Sequence, residues 1–220
     1  MDNAYILRHV DHTLLKPTAT WAEIVQLCDE AVQYMTASVC VPPCYIERIR
    51  AAYPGLVICT VIGFPLGYST TASKIAEAQN AIESGADELD MVVNITDVKN
   101  GFFDKITDEI SALKAITGTK ILKVIIETCY LSEAEKTALC EAVTNAKADY
   151  IKTSTGFGTA GATMDDILLF KSRIGPDVKI KAAGGIRTRE DMAAFLKAGC
   201  SRLGTSSAIK ILTNETPEEY

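Results

Sequence analysis

The sequence predicts a single α/β domain that folds as a (β/α)8 TIM barrel, with a short segment before it and a short helix and tail after it. Short runs rich in β-branched residues alternate with amphipathic stretches along all 220 residues, a pattern typical of parallel sheets covered by helices. The runs number eight, as a closed barrel requires. Lys123, Lys152 and Lys181 recur at a spacing of 29 residues, so we expect them at equal heights on three successive strands.

Each predicted strand is a short apolar run, and β-branched runs of this length are typical of strands. In chain order they are Val10–Leu15, Ser38–Val41, Val57–Ile62, Glu88–Val93, Leu122–Glu127, Tyr150–Thr153, Lys179–Ala182 and Arg202–Thr205. The rival architecture is an open, doubly wound sheet. That fold is expected to carry a Gly-x-Gly-x-x-Gly turn after its first strand, and the sequence has none there.

The predicted helices lie between these strands. They are Trp21–Met35, Thr71–Ser84, Gly101–Thr117, Glu133–Ala146, Met164–Ile174 and Arg189–Ala198. Ser132 before Glu133 and Glu135 indicates a helix start, because a serine side chain caps the helix and acids favour its first turn. A further short helix is predicted at Ala208–Leu212. The barrel domain is thus predicted over residues 1–212, followed by a flexible tail over residues 213–220.

Composition limits the partners and the location of the protein. The net charge of −6 argues against nucleic acid and anionic membrane surfaces. The first residues show no basic-then-apolar signal segment, and no apolar stretch is long enough to span a membrane. We therefore expect a cytoplasmic protein, in which the seven cysteines are reduced thiols.

The sequence does not predict a metal site. Cys40 and Cys44 are close in sequence, but no matching pair of histidines or cysteines accompanies them. The histidines are His9 and His12, both near the first strand, and a catalytic zinc would consume them. We interpret His12 as a hydrogen-bonded structural residue.

Lys152 and Lys181 are the main candidates for catalysis. Each lies near the C-terminal end of an apolar run and is followed by a loop of small residues. A lysine within a strand is costly without a partner or a task, because ammonium groups desolvate poorly. Two lysines that project into one cavity disfavour protonation of each other, and a neutral amine attacks carbonyl groups. The pair predicts a Schiff-base site in which Lys181 keeps Lys152 reactive near neutral pH.

Asp90 is predicted to face the same interior. Because side chains alternate along a strand, Asp90 points inward when Leu89 and Met91 point toward the helices. We expect Asp90 to lie closer to Lys181 and to hold the positive charge there. A structural alternative stays open, in which Asp90, Glu127 and the three lysines form an internal ion-pair network.

Two small-residue loops predict a phosphate site. Gly184 and Gly185 follow the seventh strand, and Gly204, Ser206 and Ser207 lie where the eighth strand leads into a short helix. Loops after strands seven and eight, with the start of a short extra helix, recurrently bind phosphate in such barrels. Glycines let backbone N–H groups approach the phosphate, and serine hydroxyls add donors. Ordinary strand–helix turns are the alternative interpretation.

The sequence resembles the deoxyribose-phosphate aldolase family from about Val10 to Leu212. The resemblance rests on Asp11-His12-Thr13-Leu14-Leu15-Lys16-Pro17, Glu88-Leu89-Asp90-Met91-Val92-Val93-Asn94, Lys152-Thr153-Ser154-Thr155-Gly156-Phe157 and Lys181-Ala182-Ala183-Gly184-Gly185-Ile186-Arg187. It implies a barrel fold and a class I aldolase that needs no metal or cofactor. The implied reaction is the reversible cleavage of 2-deoxy-D-ribose 5-phosphate to acetaldehyde and D-glyceraldehyde 3-phosphate.

The resemblance also implies residue roles. Lys152 matches the Schiff-base lysine, Lys181 the second lysine that perturbs it and relays protons, and Asp90 the acidic partner. Gly185 and the Gly204–Ser207 turn match phosphate-binding backbone.

Further substrate contacts are expected from Thr155, Gly156 and Lys16. Some family members carry a lysine after the glycine of the Lys-Thr-Ser-Thr-Gly block, where this chain has Phe157. Arg187 or Lys16 could replace that cation.

Other functions stay open from sequence alone. One is a barrel that holds pyridoxal phosphate on Lys152, and another is a non-catalytic sugar-phosphate binding protein. Family resemblance makes a homodimer the expected assembly, with small phosphorylated sugars and aldehydes as ligands. Tyr220 could fold over the barrel mouth as a transient donor.

Overall fold

The computed structural model describes residues 1–213 of the chain, and its strands close into one parallel barrel. The strands are β1 (Val10–Thr13), β2 (Ser38–Val41), β3 (Ile58–Ile62), β4 (Glu88–Val92), β5 (Ile121–Ile125), β6 (Tyr150–Lys152), β7 (Lys179–Ala183) and β8 (Arg202–Thr205). Each strand pairs with the next in chain order, and β8 pairs with β1. The predicted (β/α)8 fold class is confirmed.

Helices surround the barrel. They are α1 (Asn3–Leu7), α2 (Trp21–Tyr34), α3 (Ile46–Ala52), α4 (Thr71–Glu83), α5 (Ile95–Lys99), α6 (Phe103–Thr117), α7 (Glu133–Asn145), α8 (Met164–Arg173), α9 (Arg189–Ala198) and α10 (Ala208–Thr213). Within residues 1–213 no helix has the length and apolar character needed to cross a membrane.

Side-chain caps determine where the helices begin. Ser132 accepts a hydrogen bond from the backbone N–H of Glu135, whose carboxylate in turn accepts from the N–H of Ser132. Thr20 and Glu23 make the same reciprocal pair at the start of α2. Each pair satisfies two backbone donors that a helix leaves without partners. The predicted start of α7 after Ser132 is confirmed.

The apolar core lies between the strands and the helices. Outward strand residues such as Leu89, Met91 and Ile151 are fully buried and pack in one cluster with helix residues such as Ile110 and Phe170. The inward positions of the same strands carry charged side chains, where a packed barrel would have Val, Ile or Leu. Strand alternation therefore separates a structural outer face from a polar interior.

Several predicted boundaries differ from the structure. Six of the eight strands begin or end one or two residues from their predicted limits. The helices α1, α3 and α5 are absent from the sequence-based prediction. They have 5, 7 and 5 residues, too few for a helical period to emerge from the pattern of apolar residues.

The C-terminal helix is one residue longer than predicted. α10 includes Thr213, whose hydroxyl donates to the carbonyl of Ile209 at 2.7 Å. Thr213 therefore belongs to this helix rather than to the predicted tail. The remainder of that tail, residues 214–220 with Tyr220, lies outside the described residues.

The expected equal height of the three lysines is wrong for one of them. Lys152 and Lys181 are register partners on β6 and β7. Lys123, however, pairs with Tyr150, two residues before Lys152. The spacing of 29 residues in sequence does not fix the register, because successive strands of a barrel are staggered along the sheet.

Candidate active site

A cavity of about 630 Å³ opens at the mouth of the barrel. The predicted site residues that line it are Lys16, Lys152, Thr155, Gly156, Gly184, Gly185, Gly204, Ser206 and Ser207. Asp90 and Lys181 are fully buried and lie behind Lys152. The predicted residues thus form two layers, a cavity wall and a buried layer, and Lys152 belongs to both.

Asp90 joins the two candidate lysines. Its Oδ2 oxygen accepts hydrogen bonds from Nζ of Lys152 and Nζ of Lys181, both at 2.7 Å. The expectation that Asp90 lies closer to Lys181 is therefore wrong. Because the two lysines are register partners on adjacent strands, both reach the same oxygen of a carboxylate across the barrel.

The charges in this buried layer stabilise one another. Burial acts to raise the pKa of Asp90, but the ammonium groups of Lys123, Lys152 and Lys181 outweigh it and hold that pKa well below its usual range. Burial acts to lower the pKa of Lys181, and the carboxylates of Asp11 and Asp90 reverse this and raise it. Asp90 is therefore an anion and Lys181 a cation at neutral pH.

Asp11 is a second counterion for Lys181. Its Oδ2 oxygen pairs with Nζ of Lys181, and its Oδ1 oxygen pairs with Arg202 and accepts from the hydroxyl of Ser38. No role was predicted for Asp11 from the sequence. The sequence feature that could have indicated a role for Asp11 is its charge at an inward position of β1, the strand that closes the barrel against β8.

Lys123 and Cys59 hold the other oxygen of Asp90. Nζ of Lys123 donates to Oδ1 at 2.9 Å, and the thiol of Cys59 donates to the same atom at 3.2 Å. Lys123 also pairs with Glu88 at 2.6 Å. The part of the predicted ion-pair network that joins Asp90 to the three lysines therefore exists. At its upper edge Lys152 lines the cavity.

The glycines of the cavity wall occupy positions where a side chain would be strained or would clash. Gly184 and Gly185 have φ of +77° and +72°, a left-handed conformation that favours glycine. A Cβ at Gly161 would lie 2.2 Å from the Gly184 carbonyl, so the loop after β6 approaches this turn only with glycine there. Gly204 also leaves room for Lys181, because a Cβ there would lie 3.2 Å from Cε of Lys181.

Thr155 is held from below by Glu127. The carboxylate of Glu127 accepts hydrogen bonds from both the backbone N–H and the hydroxyl of Thr155. Glu127 thus contacts the cavity wall instead of taking its expected place around Asp90. Phe157, at the position where some family members carry a lysine, packs edge-on against Phe64 with ring centres 5.3 Å apart.

His12 has the structural hydrogen bond expected of it. Its Nε2 lies 2.7 Å from Oε2 of Glu30 on α2. Its ring also lines the cavity, where Glu30, Gln26 and Lys210 extend the wall beyond the predicted residues.

The cysteines that are neighbours in the fold are not the ones that are close in sequence. Cys40 has Cys59, not Cys44, as its register partner on the adjacent strand. Donor atoms of Cys40, Cys59 and Asp90 lie within 4.8 Å of one another. Asp90 already binds three lysines there, so a cation would have to displace them.

Fold and site together define a class: (β/α)8 barrels that present lysine and carboxylate groups at the C-terminal ends of their strands. The model of the DeoC/LacD family of aldolases matches residues 5–209. The chain therefore belongs to the DeoC/LacD family of aldolases, which are lyases.

Curated relatives cover the whole chain. A deoxyribose-phosphate aldolase from Clostridium botulinum (strain Eklund 17B / Type B) is 63% identical over 100% of both chains. One from Clostridioides difficile (strain 630) is 58% identical over 98% of this chain and 99% of the relative.

Solved structures agree with the fold. A putative deoxyribose-phosphate aldolase from Coccidioides immitis superposes with a TM-score of 0.93 at 37% identity, covering 97% of this chain and 87% of that chain. A deoxyribose phosphate aldolase from Aeropyrum pernix, described as a tetramer, gives 0.90 at 32% identity, over 97% and 92%. Orotidine 5'-phosphate decarboxylase from Pyrococcus horikoshii, 15% identical with a TM-score of 0.65 over 92% of this chain and 98% of that chain, shows the fold alone.

Proposed function

We propose that this aldolase cleaves 2-deoxy-D-ribose 5-phosphate reversibly to acetaldehyde and D-glyceraldehyde 3-phosphate through a Schiff base on Lys152. The observation that carries the proposal is the position of Lys152. Among the three lysines bound to Asp90, Lys152 lines the cavity while Lys123 and Lys181 are fully buried. A covalent intermediate requires an amine that the substrate can reach.

In the synthetic direction the amine of Lys152 attacks the carbonyl carbon of acetaldehyde, and loss of water gives an imine. The imine acidifies the adjacent methyl group, whose proton leaves to give an enamine. The enamine carbon attacks the aldehyde of D-glyceraldehyde 3-phosphate, whose oxygen takes up a proton. Water then hydrolyses the new imine and returns the free amine. Cleavage is the reverse of these steps.

Asp90 and Lys181 serve as the proton relay in this proposal. Asp90 contacts both Lys152 and Lys181 through one oxygen. A proton can therefore pass between these three groups, and a water molecule at the substrate carries it to or from the reacting carbon or oxygen. Positioned acid–base groups of this kind contribute about 10²–10⁴-fold to a rate. Asp11 and Lys123 keep the relay in place.

Phosphate recognition is assigned to the turns after β7 and β8. The left-handed backbone at Gly184 and Gly185 favours N–H groups that point together at an anion. Ser206 adds a hydroxyl at the exposed edge of the cavity. Arg187 and Lys16, the latter paired with Glu23, line the same cavity and supply positive charge for an anionic substrate in a protein whose net charge is −6.

Borohydride trapping tests the proposal. Reduction of the protein in the presence of acetaldehyde, followed by peptide mapping, is expected to place a two-carbon unit on Lys152. The variant Lys152→Met should remain unlabelled. An adduct on Lys181 alone would reverse the two roles.

The alternative functions find no support in the family match. A pyridoxal-phosphate enzyme would absorb visible light when purified, whereas the proposed aldolase is colourless. A non-catalytic binding protein would fail to form the borohydride adduct.

We also propose that the protein works in the cytoplasm as a homo-oligomer. A homodimer is the expected state, and the tetramer described for the Aeropyrum pernix relative is the other outcome to distinguish. Light scattering after size exclusion measures the mass directly, and a mass near 23.7 kDa would exclude an oligomer.

A further inference from the structure

Glu127 has a backbone conformation that its position does not explain. It lies two residues after β5 with φ of 53° and ψ of 67°, the left-handed region that non-glycine residues rarely adopt. Met35 and Lys147 share a positive φ, but they lie at the ends of α2 and α7, where a left-handed residue is a usual cap. Glu127 ends no helix, and strain of this kind gathers at functional sites.

The strained backbone directs the Glu127 carboxyl group beneath the loop that follows Lys152. Oε1 and Oε2 lie 3.2 and 3.3 Å from the backbone nitrogen of Thr155, and Oε2 also accepts from the Thr155 hydroxyl. The Thr155 hydroxyl oxygen in turn accepts from the N–H of Phe157 at 3.0 Å. One carboxylate therefore organises the first turn of this loop. A side-chain amide could replace it only in part, because it has one acceptor oxygen where the carboxylate has two.

The rest of the loop is fitted to the same carboxyl group. A Cβ at Gly158 would lie 3.1 Å from Cδ of Glu127 and 2.8 Å from Sγ of Cys129, so a larger residue there would force one of these side chains to shift. The loop passes directly over Glu127. Thr155, Gly156 and Phe157 then line the cavity beside Lys152.

Glu127 is 2% exposed. The titratable groups that face it are Lys152 on β6 and Cys129 on its own segment. Burial raises the pKa of Glu127, while the hydrogen bonds from Thr155 and the charge of Lys152 act in the opposite direction. A carboxyl group that is costly to bury is thus retained beneath a loop of the cavity wall.

We infer that Glu127 is a positioning residue for the aldol reaction: through Thr155 it holds residues 155–158 against the cavity, and so places the hydroxyl-bearing substrate relative to Lys152. This inference rests on the proposed function. Lys152 receives its own proton relay from Asp90 and Lys181, which lie in the buried layer behind it. Loss of the Glu127 contact should therefore affect the binding geometry of the full substrate and leave imine formation with a small aldehyde intact.

The test compares two reactions of the variant Glu127→Gln. The amide keeps the size of the side chain but presents an NH₂ donor to the donors of Thr155. We expect kcat/KM for 2-deoxy-D-ribose 5-phosphate to fall about 10- to 100-fold, as for a small misplacement of reacting groups. Borohydride trapping of acetaldehyde on the variant should stay within about twofold of the wild-type rate. Glu133→Gln, exposed in the first turn of α7, is the matched control.

A double-mutant cycle shows whether Glu127 acts through Thr155. Thr155→Val removes the hydroxyl, and the double variant should lose little more activity than the more damaged single variant. Thr155→Ser, which keeps the hydroxyl, should recover most of the activity. Additive losses in the double variant would overturn the inference, as would an unchanged kcat/KM in Glu127→Gln.

The outcomes also separate this inference from the proposed function. Equal losses in trapping and in turnover of Glu127→Gln would mean that Glu127 acts on Lys152 itself, against the inference. Failure of the wild-type protein to trap acetaldehyde would instead overturn the proposed function. If Glu127→Gln does not fold, Glu127→Asp applies the same test, because its carboxylate is one methylene too short to meet both donors of Thr155.

Discussion

Lys152 and Lys181 are register partners on adjacent strands, and both donate at 2.7 Å to one carboxylate oxygen of Asp90. Their surroundings nevertheless differ. Lys181 has a second carboxylate, Asp11, and is fully buried. Lys152 is the last residue of β6 and borders the cavity. We therefore expect different tasks for two chemically identical side chains at one height. Lys181 retains its charge in a buried network, whereas Lys152 lines the cavity.

Lys181→Leu should slow Schiff-base formation at neutral pH by about tenfold or more. Lys181 shares one oxygen of Asp90 with Lys152, and its removal takes away the neighbouring positive charge that favours a neutral amine. The rate should recover as pH rises. The measurement is the pH dependence of acetaldehyde trapping, with Lys197→Leu, exposed on α9, as control. A profile that coincides with wild type would make Lys181 a relay or structural residue.

Ser206→Ala should weaken phosphate binding selectively. Hydrogen bonds to charged groups contribute about 1.5–3 kcal/mol, so KM for 2-deoxy-D-ribose 5-phosphate should rise roughly 10- to 100-fold. Unphosphorylated 2-deoxyribose should react as with wild type. Gly204 is a poorer probe, because a larger residue there would press on Lys181. Ser172→Ala, exposed on α8, is the control, and equal losses on both substrates would contradict the assignment.

The fold and the lysine pair were predictable because they follow from local periodicity. Alternation along β4 places Asp90 inward once Leu89 and Met91 are assigned to the core, and small residues mark the loops that border a ligand. These features depend only on neighbours in sequence.

Contacts across the barrel were not predictable in the same way. Asp11 meets Lys181 because β1 closes against β8 and the strands are staggered, and no spacing in sequence encodes that register. The stagger also lowers Lys123 by two residues relative to Lys152. Glu127 reaches Thr155 through a left-handed backbone, a conformation that glutamate does not indicate in sequence.

Lys74→Met should destabilise the fold by about 3–5 kcal/mol, the usual cost of removing one partner from a buried ion pair. Nζ of Lys74 donates to Glu109 and to the carbonyl of Val92, both at 2.8 Å, and Lys74 is fully buried. The double variant Lys74→Met with Glu109→Leu should recover most of the lost stability, because no unpaired carboxylate is left buried. Urea unfolding measures both, and a double variant as unstable as the single one would contradict this account.

Acid should unfold the protein through Asp11 and Asp90. Burial acts to raise both pKa values, but lysine and arginine partners hold them below the usual range. The unfolded chain binds protons on aspartates near pH 4, whereas the folded chain does not, so this stability is present above about pH 4 and is lost progressively below it. The measurement is the free energy of unfolding in urea between pH 7 and pH 3.

Asp11→Asn isolates the contribution of one of these carboxylates. At pH 7 the variant should be less stable by about 3 kcal/mol, because Lys181 and Arg202 lose a buried partner while each keeps another, Asp90 and Glu88. Below pH 4 its stability should fall less steeply than that of wild type, by up to about 1.4 kcal/mol per pH unit for one proton. Asp108→Asn, exposed on α6, should leave the steepness unchanged. A variant as acid-sensitive as wild type would mean that Asp11 keeps no depressed pKa in the folded chain.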